Sequence, residues 1–107
     1  MTTFDDREKA FEAKFAHDQE MAFRITARRN RLLGEWAARL MGLSDVESEA
    51  YAKDVVRADF EEAGDEDVIR KVLGDLLAAG VDVDDAAVRR ALSDQMVEAR
   101  RQLMEAK

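Results

Sequence analysis

The chain has 107 residues, neither cysteine nor proline, and a net charge of −7. That length holds one domain, and the missing thiols exclude a disulfide scaffold and thiolate metal ligation. The acidic balance argues against general nucleic-acid affinity, which needs a basic face. No apolar run approaches a membrane span and no apolar leader opens the chain, so a cytoplasmic protein without membrane insertion is expected. Ala, Asp, Arg, Glu and Leu dominate and no stretch alternates apolar with polar residues over a strand's length, so every element is expected to be helical.

The first helix divides into two parts. Residues 1–20 hold Phe4, Phe11 and Phe15 at spacings of seven and four, a narrow apolar line among charges of both signs. This line either folds back onto the domain as core or docks into a groove on a partner. The second part offers a core stripe of Ile25, Leu32, Leu33, Trp36, Ala37, Leu40 and Met41. Whether the helix breaks near His17-Asp18 is left open. Residues 21–43 carry five arginines against the single acid Glu35, and Arg24, Arg28 and Arg31 fall along one helix face. That face is either solvated or a contact for an anion or adenine nucleotide.

Ser44-Asp45-Val46-Glu47 reads as a capping box that starts a second helix. That helix is expected to run to about Ala63, with Gly64 as its C′ residue and Val46, Ala50, Tyr51, Val55, Ala58 and Phe60 on its apolar side. It is acid-rich and is expected to attract the basic first helix. Asp65 is placed as the cap of a third helix, whose stripe is Val68, Ile69, Val72, Leu73, Leu76 and Leu77 and which ends before Gly80. Asp82 or Asp84 caps a fourth, with Val88, Ala91, Leu92, Met96, Ala99 and Leu103 inward. Four such stripes on short loops predict an all-α antiparallel four-helix bundle over 20–107, preceded by a mobile or overhanging segment over 1–19. Gly34 and Gly74 fall inside helices, explained either by close helix approach or by ordinary tolerance.

Catalytic and metal chemistry find little support. The only histidine, His17, stands alone on a charged segment, so the Glu-x-x-His pairs of a di-metal bundle are missing. Ser44, Ser48 and Ser93 have no histidine near in sequence. No Gly-rich phosphate loop occurs. The expectation is a non-enzyme with no cofactor and no metal, acting by binding.

Long stretches of the chain resemble one family. Phe-Asp-Asp-Arg-Glu-Lys-Ala-Phe-Glu-Ala-Lys-Phe-Ala-His-Asp at 4–18 and Phe-Arg-Ile-Thr-Ala-Arg-Arg-Asn-Arg-Leu-Leu-Gly at 23–34 are similar to the ATPase inhibitor subunit zeta of alphaproteobacterial ATP synthases. So are Trp36-Ala37-Ala38, Met41-Gly42-Leu43, Tyr51-Ala52-Lys53 and the acidic run at 58–67. The resemblance covers nearly the whole chain and is weakest after Leu73. It implies a four-helix bundle carrying an N-terminal inhibitory segment, disordered when free. That segment would fold into an interface between a catalytic and a non-catalytic subunit of the F-type ATP synthase head, near the central shaft. Phe4, Phe11 and Phe15 would anchor it. Asp5, Asp6, Arg7, Glu8, Lys9, Glu12 and Lys14 would set register through charge pairs. A monomer is expected when free. The rival readings are an adaptor that binds through the bundle surface and a nucleotide-responsive sensor using Arg24, Arg28 and Arg31.

Overall fold

A computed structural model describes residues 3–59 and 64–105, with side chains over 18–59 and 64–104. Four helices follow one another, α1 (Thr3–Met41), α2 (Asp45–Ala58), α3 (Glu66–Ala78) and α4 (Asp85–Glu105), and no strand occurs among the described residues. The expected all-α four-helix bundle is the fold. The backbone of α1 passes His17-Asp18 without a break. At 39 residues it is far longer than α4, the next longest at 21.

Local chemistry sets most of the boundaries. At the end of α1 the Gly42 N–H bonds the Arg39 carbonyl (3.1 Å) and the Leu43 N–H bonds the Ala38 carbonyl (3.0 Å). These are the two bonds of a Schellman turn, and they need the left-handed φ of +73° that Gly42 supplies. The capping box of α2 forms as expected. The Ser44 hydroxyl accepts the Glu47 N–H at 3.2 Å, and a Glu47 carboxylate oxygen accepts the Ser44 N–H at 3.0 Å. The bond from the Ser44 backbone holds the Glu47 carboxyl below its ordinary value. Asp84, rather than Asp82, caps α4 by accepting the Ala87 N–H at 2.9 Å.

Two expected boundaries are corrected. α2 ends at Ala58 with Asp59 as its C-cap, so Gly64 is not its C′ residue. The acids Asp59, Glu61 and Glu62 would sit at the negative end of the helix dipole and oppose its extension; residues 60–63, Phe60 among them, lie outside the described residues. Asp65 does occupy the N-cap of α3, but its carboxylate makes no capping bond. It turns instead to Arg29, as described below.

The core is built on α1. Leu33 and Ala37 pack with Val55 of α2, with Val68, Ile69, Val72 and Leu76 of α3, and with Val88, Ala91 and Leu92 of α4. Trp36, Met41, Tyr51 and Leu73 close its edges. The buried stripes are narrower than the sequence predicts, for Leu40, Val46 and Leu77 are exposed and Ala50 also faces solvent. A helix buries little more than a 100° sector against its neighbours, so residues at the edge of a stripe stay wet.

The two mid-helix glycines prove different. A Cβ at Gly34 would lie 2.7 Å from the Ala52 Cα and 3.2 Å from a Val55 methyl, so α1 and α2 touch almost backbone to backbone there. A Cβ at Gly74 would meet nothing within 4 Å. Alanine at either site gains about 1 kcal/mol in helix propensity. At Gly34 the clash outweighs that gain by forcing the helices apart, at a cost of about 1–3 kcal/mol. Urea melts should therefore move in opposite directions, with Gly34→Ala less stable than the parent and Gly74→Ala more stable by about 1 kcal/mol.

Candidate functional site

The residues assigned to an inhibitory segment, Phe4, Asp5, Asp6, Arg7, Glu8, Lys9, Phe11, Glu12, Lys14 and Phe15, all fall on the α1 backbone. Their side chains, and that of His17, lie outside the described residues. What the fold contributes is the frame. α1 presents this segment on the same helix whose later turns form the core, so a load on the segment reaches the bundle through continuous helical backbone.

The second candidate face is brought together by tertiary structure. Arg24, Arg28 and Arg31 recur at i, i+4 and i+7 on α1 and so share a side of it. They line a groove of about 440 Å³ between α1, α2 and the last turns of α4. Phe23 and Ala27 of α1, Ala52 and Val56 of α2, and Leu103 of α4 make its apolar surface, and Lys53 adds a fourth cation. No acid lines it. Arg24 pairs with Glu20 (2.7 Å), Arg31 with Glu35 (3.3 Å) and Lys53 with Glu49 (3.8 Å), each one turn away on its own helix. Exposed pairs of this kind are weak and exchange readily.

Arg28 differs from its neighbours. Its guanidinium donates to the Gln102 side-chain oxygen at 2.8 Å, across 74 residues of sequence. The Gln102 amide donates in turn to Glu98 at 3.1 Å, and Glu98 also takes the Arg101 guanidinium. Bonds from Arg101 first, then Gln102, hold the Glu98 carboxyl down to about 2. A chain of polar contacts thus fixes the end of α4 against α1 and leaves Arg28 bonded to a neutral amide. It keeps its full charge for an anion that enters the groove.

Arg29, another of the five arginines of residues 21–43, does not share this face. Its side chain is only 4% exposed. It donates to the Asn30 side-chain oxygen at 3.0 and 2.9 Å and to Asp65 at 2.8 Å. Asn30 is fully buried beside Leu33. A buried guanidinium needs such partners, because stripping its water costs several kcal/mol. The tie carries the carboxylate at the start of α3 onto α1. The faint signal for it was that Asn30 stands three and seven residues before Leu33 and Ala37, within the core stripe. Among the described residues, the expected attraction between α1 and acid-rich α2 is not made by ion pairs. Among the described residues, the pairs joining different elements are Arg29–Asp65 and Arg89–Glu66.

No cluster of His, Asp or Glu among the described residues has the makings of a metal site. No described helix is long and apolar enough to cross a membrane.

A family model described as ATPase inhibitor subunit zeta matches residues 1–102. A solved protein, determined by solution NMR, superposes with a TM-score of 0.72 and is 49% identical, covering 81% of this chain and 99% of its own. No curated protein matches.

The Glu98 linkage gives a pH test. Its folded-state value is depressed, so its hold on α4 is complete above the ordinary glutamate value of 4.5 and is lost as pH falls through about 2. Carbon chemical shifts at 98–104 should lose helical character over that window before the core signals of Leu33 and Leu76 change. Glu98→Gln should abolish the transition. Simultaneous loss of all signals would show that α4's end has no separate acid response.

Proposed function

The chain belongs to the ATPase inhibitor subunit zeta family, and we propose that it restrains ATP hydrolysis by the synthase's catalytic head by seating residues 1–19 at an interface between a catalytic and a non-catalytic subunit, near the central shaft. The observation that carries this reading is that the family match starts at residue 1 and runs to 102, so the charged Phe-bearing segment and the bundle both fall within the family's pattern. The helical backbone of α1 from Thr3 is the conformation that docking in a groove requires.

In this reading Phe4, Phe11 and Phe15 fill apolar pockets, and each buried ring contributes about 1.5–3 kcal/mol. Asp5, Asp6, Arg7, Glu8, Lys9, Glu12 and Lys14 choose the register, because like charges in a wrong register repel. A seated helix keeps the interface closed, and rotation in the hydrolysis direction requires it to open. Rotation in the synthesis direction releases it. The inhibitor makes and breaks no bond; it biases a conformational equilibrium by binding one state better than the other. The bundle supplies a second attachment and raises the local concentration of the segment.

The test is ATP hydrolysis by the purified cognate head with the full chain or with a chain lacking residues 2–19. Only the full chain should inhibit. An adaptor would bind equally in both forms and inhibit in neither. Phe11→Ala and Phe15→Ala should each raise the concentration for half-maximal inhibition about tenfold or more. Wild-type potency in both would remove the anchor assignment.

A second reading, a weak adenine-nucleotide site at the arginine groove, is favoured by the way Arg24, Arg28, Arg31 and Lys53 surround an apolar floor of suitable volume. The base would lie against Phe23 and Leu103 and the phosphates against Arg28 and Arg31. Titration of ATP or ADP into a labelled sample should then shift the amides of 23–31 and 102–103, and Arg28→Ala should weaken the response about tenfold. Shifts scattered over all four helices would discard this site.

A further inference from the structure

Two neighbouring residues of α1 make ties to which neither reading gives a task. Arg28 donates to the Gln102 side-chain oxygen of α4 at 2.8 Å, and Arg29 donates to Asp65 at the start of α3 at 2.8 Å. Successive side chains on a helix point about 100° apart, so the two ties pull on α1 in nearly perpendicular directions. Gly34, where the Ala52 backbone of α2 presses on α1, lies about 240° around the helix from Arg28. Three helices therefore brace α1 from three sides within about two turns. This collar stands where the bundle's support ends. Met21 is the first half-buried residue among the described ones, and Asp18, Gln19 and Glu20 are exposed. Only Leu103, Met104 and Glu105 of α4 follow Gln102 among the described residues. The backbone of α1 nevertheless continues as helix to Thr3, roughly 37 Å beyond Arg28 at 1.5 Å per residue. The partner of Arg28 is itself held. The Gln102 amide donates to Glu98 one turn back at 3.1 Å, and Glu98 also takes the Arg101 guanidinium. Neither Arg28 nor Gln102 belongs to the hydrophobic core, so their bond bears on direction more than on cohesion.

We propose that Arg28 and Gln102 are positioning residues for inhibition, whose bond sets the direction in which α1 leaves the bundle and so where residues 1–19 meet the catalytic interface. The proposal rests on the inhibitory reading above, in which segment and bundle are attached to the head together. Lever geometry gives the tie its weight. With the Gly34 contact as pivot, Arg28 lies about 9 Å away along the axis and Phe11 about 35 Å away. A shift of about 1 Å at the Arg28 tie then swings the axis at Phe11 by about 4 Å, enough to carry a ring out of a fitted pocket. Arg29 does not replace the lost restraint, because it holds α1 in a direction nearly perpendicular to it.

The chain has no cysteine, so spin labels can be attached at Asp18→Cys on α1 and Asp94→Cys on α4, both exposed sites. The distribution of distances between them is measured in the full-length chain. Melting temperature and half-maximal inhibition of ATP hydrolysis by the purified cognate head are measured in the same variants without labels. Arg28→Gln is too short to span the gap, and Gln102→Arg sets two guanidinium groups face to face. Each should melt as wild type, broaden the distribution by about 3 Å and raise the half-maximal concentration about fivefold. Exchanging the two residues, Arg28→Gln with Gln102→Arg, rebuilds the bond in the opposite sense and should restore both the narrow distribution and wild-type potency. Gln102→Leu removes the acceptor at similar size without a new charge, and repeats the test should Gln102→Arg melt low. An unchanged distribution in the single variants would overturn the brace. Weakened inhibition that the exchange does not rescue would also overturn it, by making Arg28 a direct contact with the head or with a nucleotide. So would a broadened distribution at wild-type potency, which would show that direction has no part in inhibition. Failure of the unaltered chain to inhibit would instead overturn the inhibitory reading and this proposal with it.

Discussion

The near-contact of α1 with α2 at Gly34 sets the geometry on which the other packing rests. With hydrogen in place of a methyl, the Ala52 backbone comes within van der Waals reach of α1. Leu33 on one side of that glycine, and Ala37 one turn on, can then reach α3 and α4 as well as α2. The small residues Ala37, Ala38 and Ala52 extend the same close fit. A modest set of aliphatic side chains thereby fills the core of a chain of only 107 residues, where each methylene counts for a large share of the net stability.

Polar ties then hold the shorter helices in register around α1. Asp65 gives up its capping bond and takes the buried Arg29 instead, which fixes the start of α3. The Tyr51 hydroxyl donates to Asp75 at 2.8 Å, with Lys71 bonded to the same oxygen and lying 5.4 Å from the Tyr51 ring, which locks α2 to α3. Burial first, then the Asp75 bond, pushes the Tyr51 phenol well above its ordinary value, so it stays a neutral donor at any physiological pH. Arg28 and Gln102 fasten α4. Each tie joins residues of different helices, so each adds to the orientation of the bundle as a whole.

This arrangement suits the inhibition by obstruction proposed above. A wedge must transmit force without yielding, and a helix continuous with the core does so better than a jointed tail. The same long helix supplies the frame of the arginine groove, so occupancy there would act close to where the N-terminal segment leaves the bundle.

Much of this molecule was legible from residue order, because its signals are local. The Ser44–Glu47 box, the glycines that close α1 and α3, and the stripes at 68–76 and 88–99 are fixed by backbone geometry and by helical period within a few residues. The long match to one family was also a property of the sequence alone. What the tertiary structure decided was every matter that depends on distant pairs. Arg29 and Arg28 are neighbours of the same type, and only the helix each faces makes one a buried tie and the other a groove cation. Gly34 and Gly74 look alike in sequence, and only the position of α2 makes one a contact and the other an opening. The arginine face becomes a groove because Leu103 returns across more than seventy residues to wall it, with Gln102 beside it bonded to Arg28. Desolvation, close approach and enclosure arise between surfaces, and a surface exists only once the helices have packed.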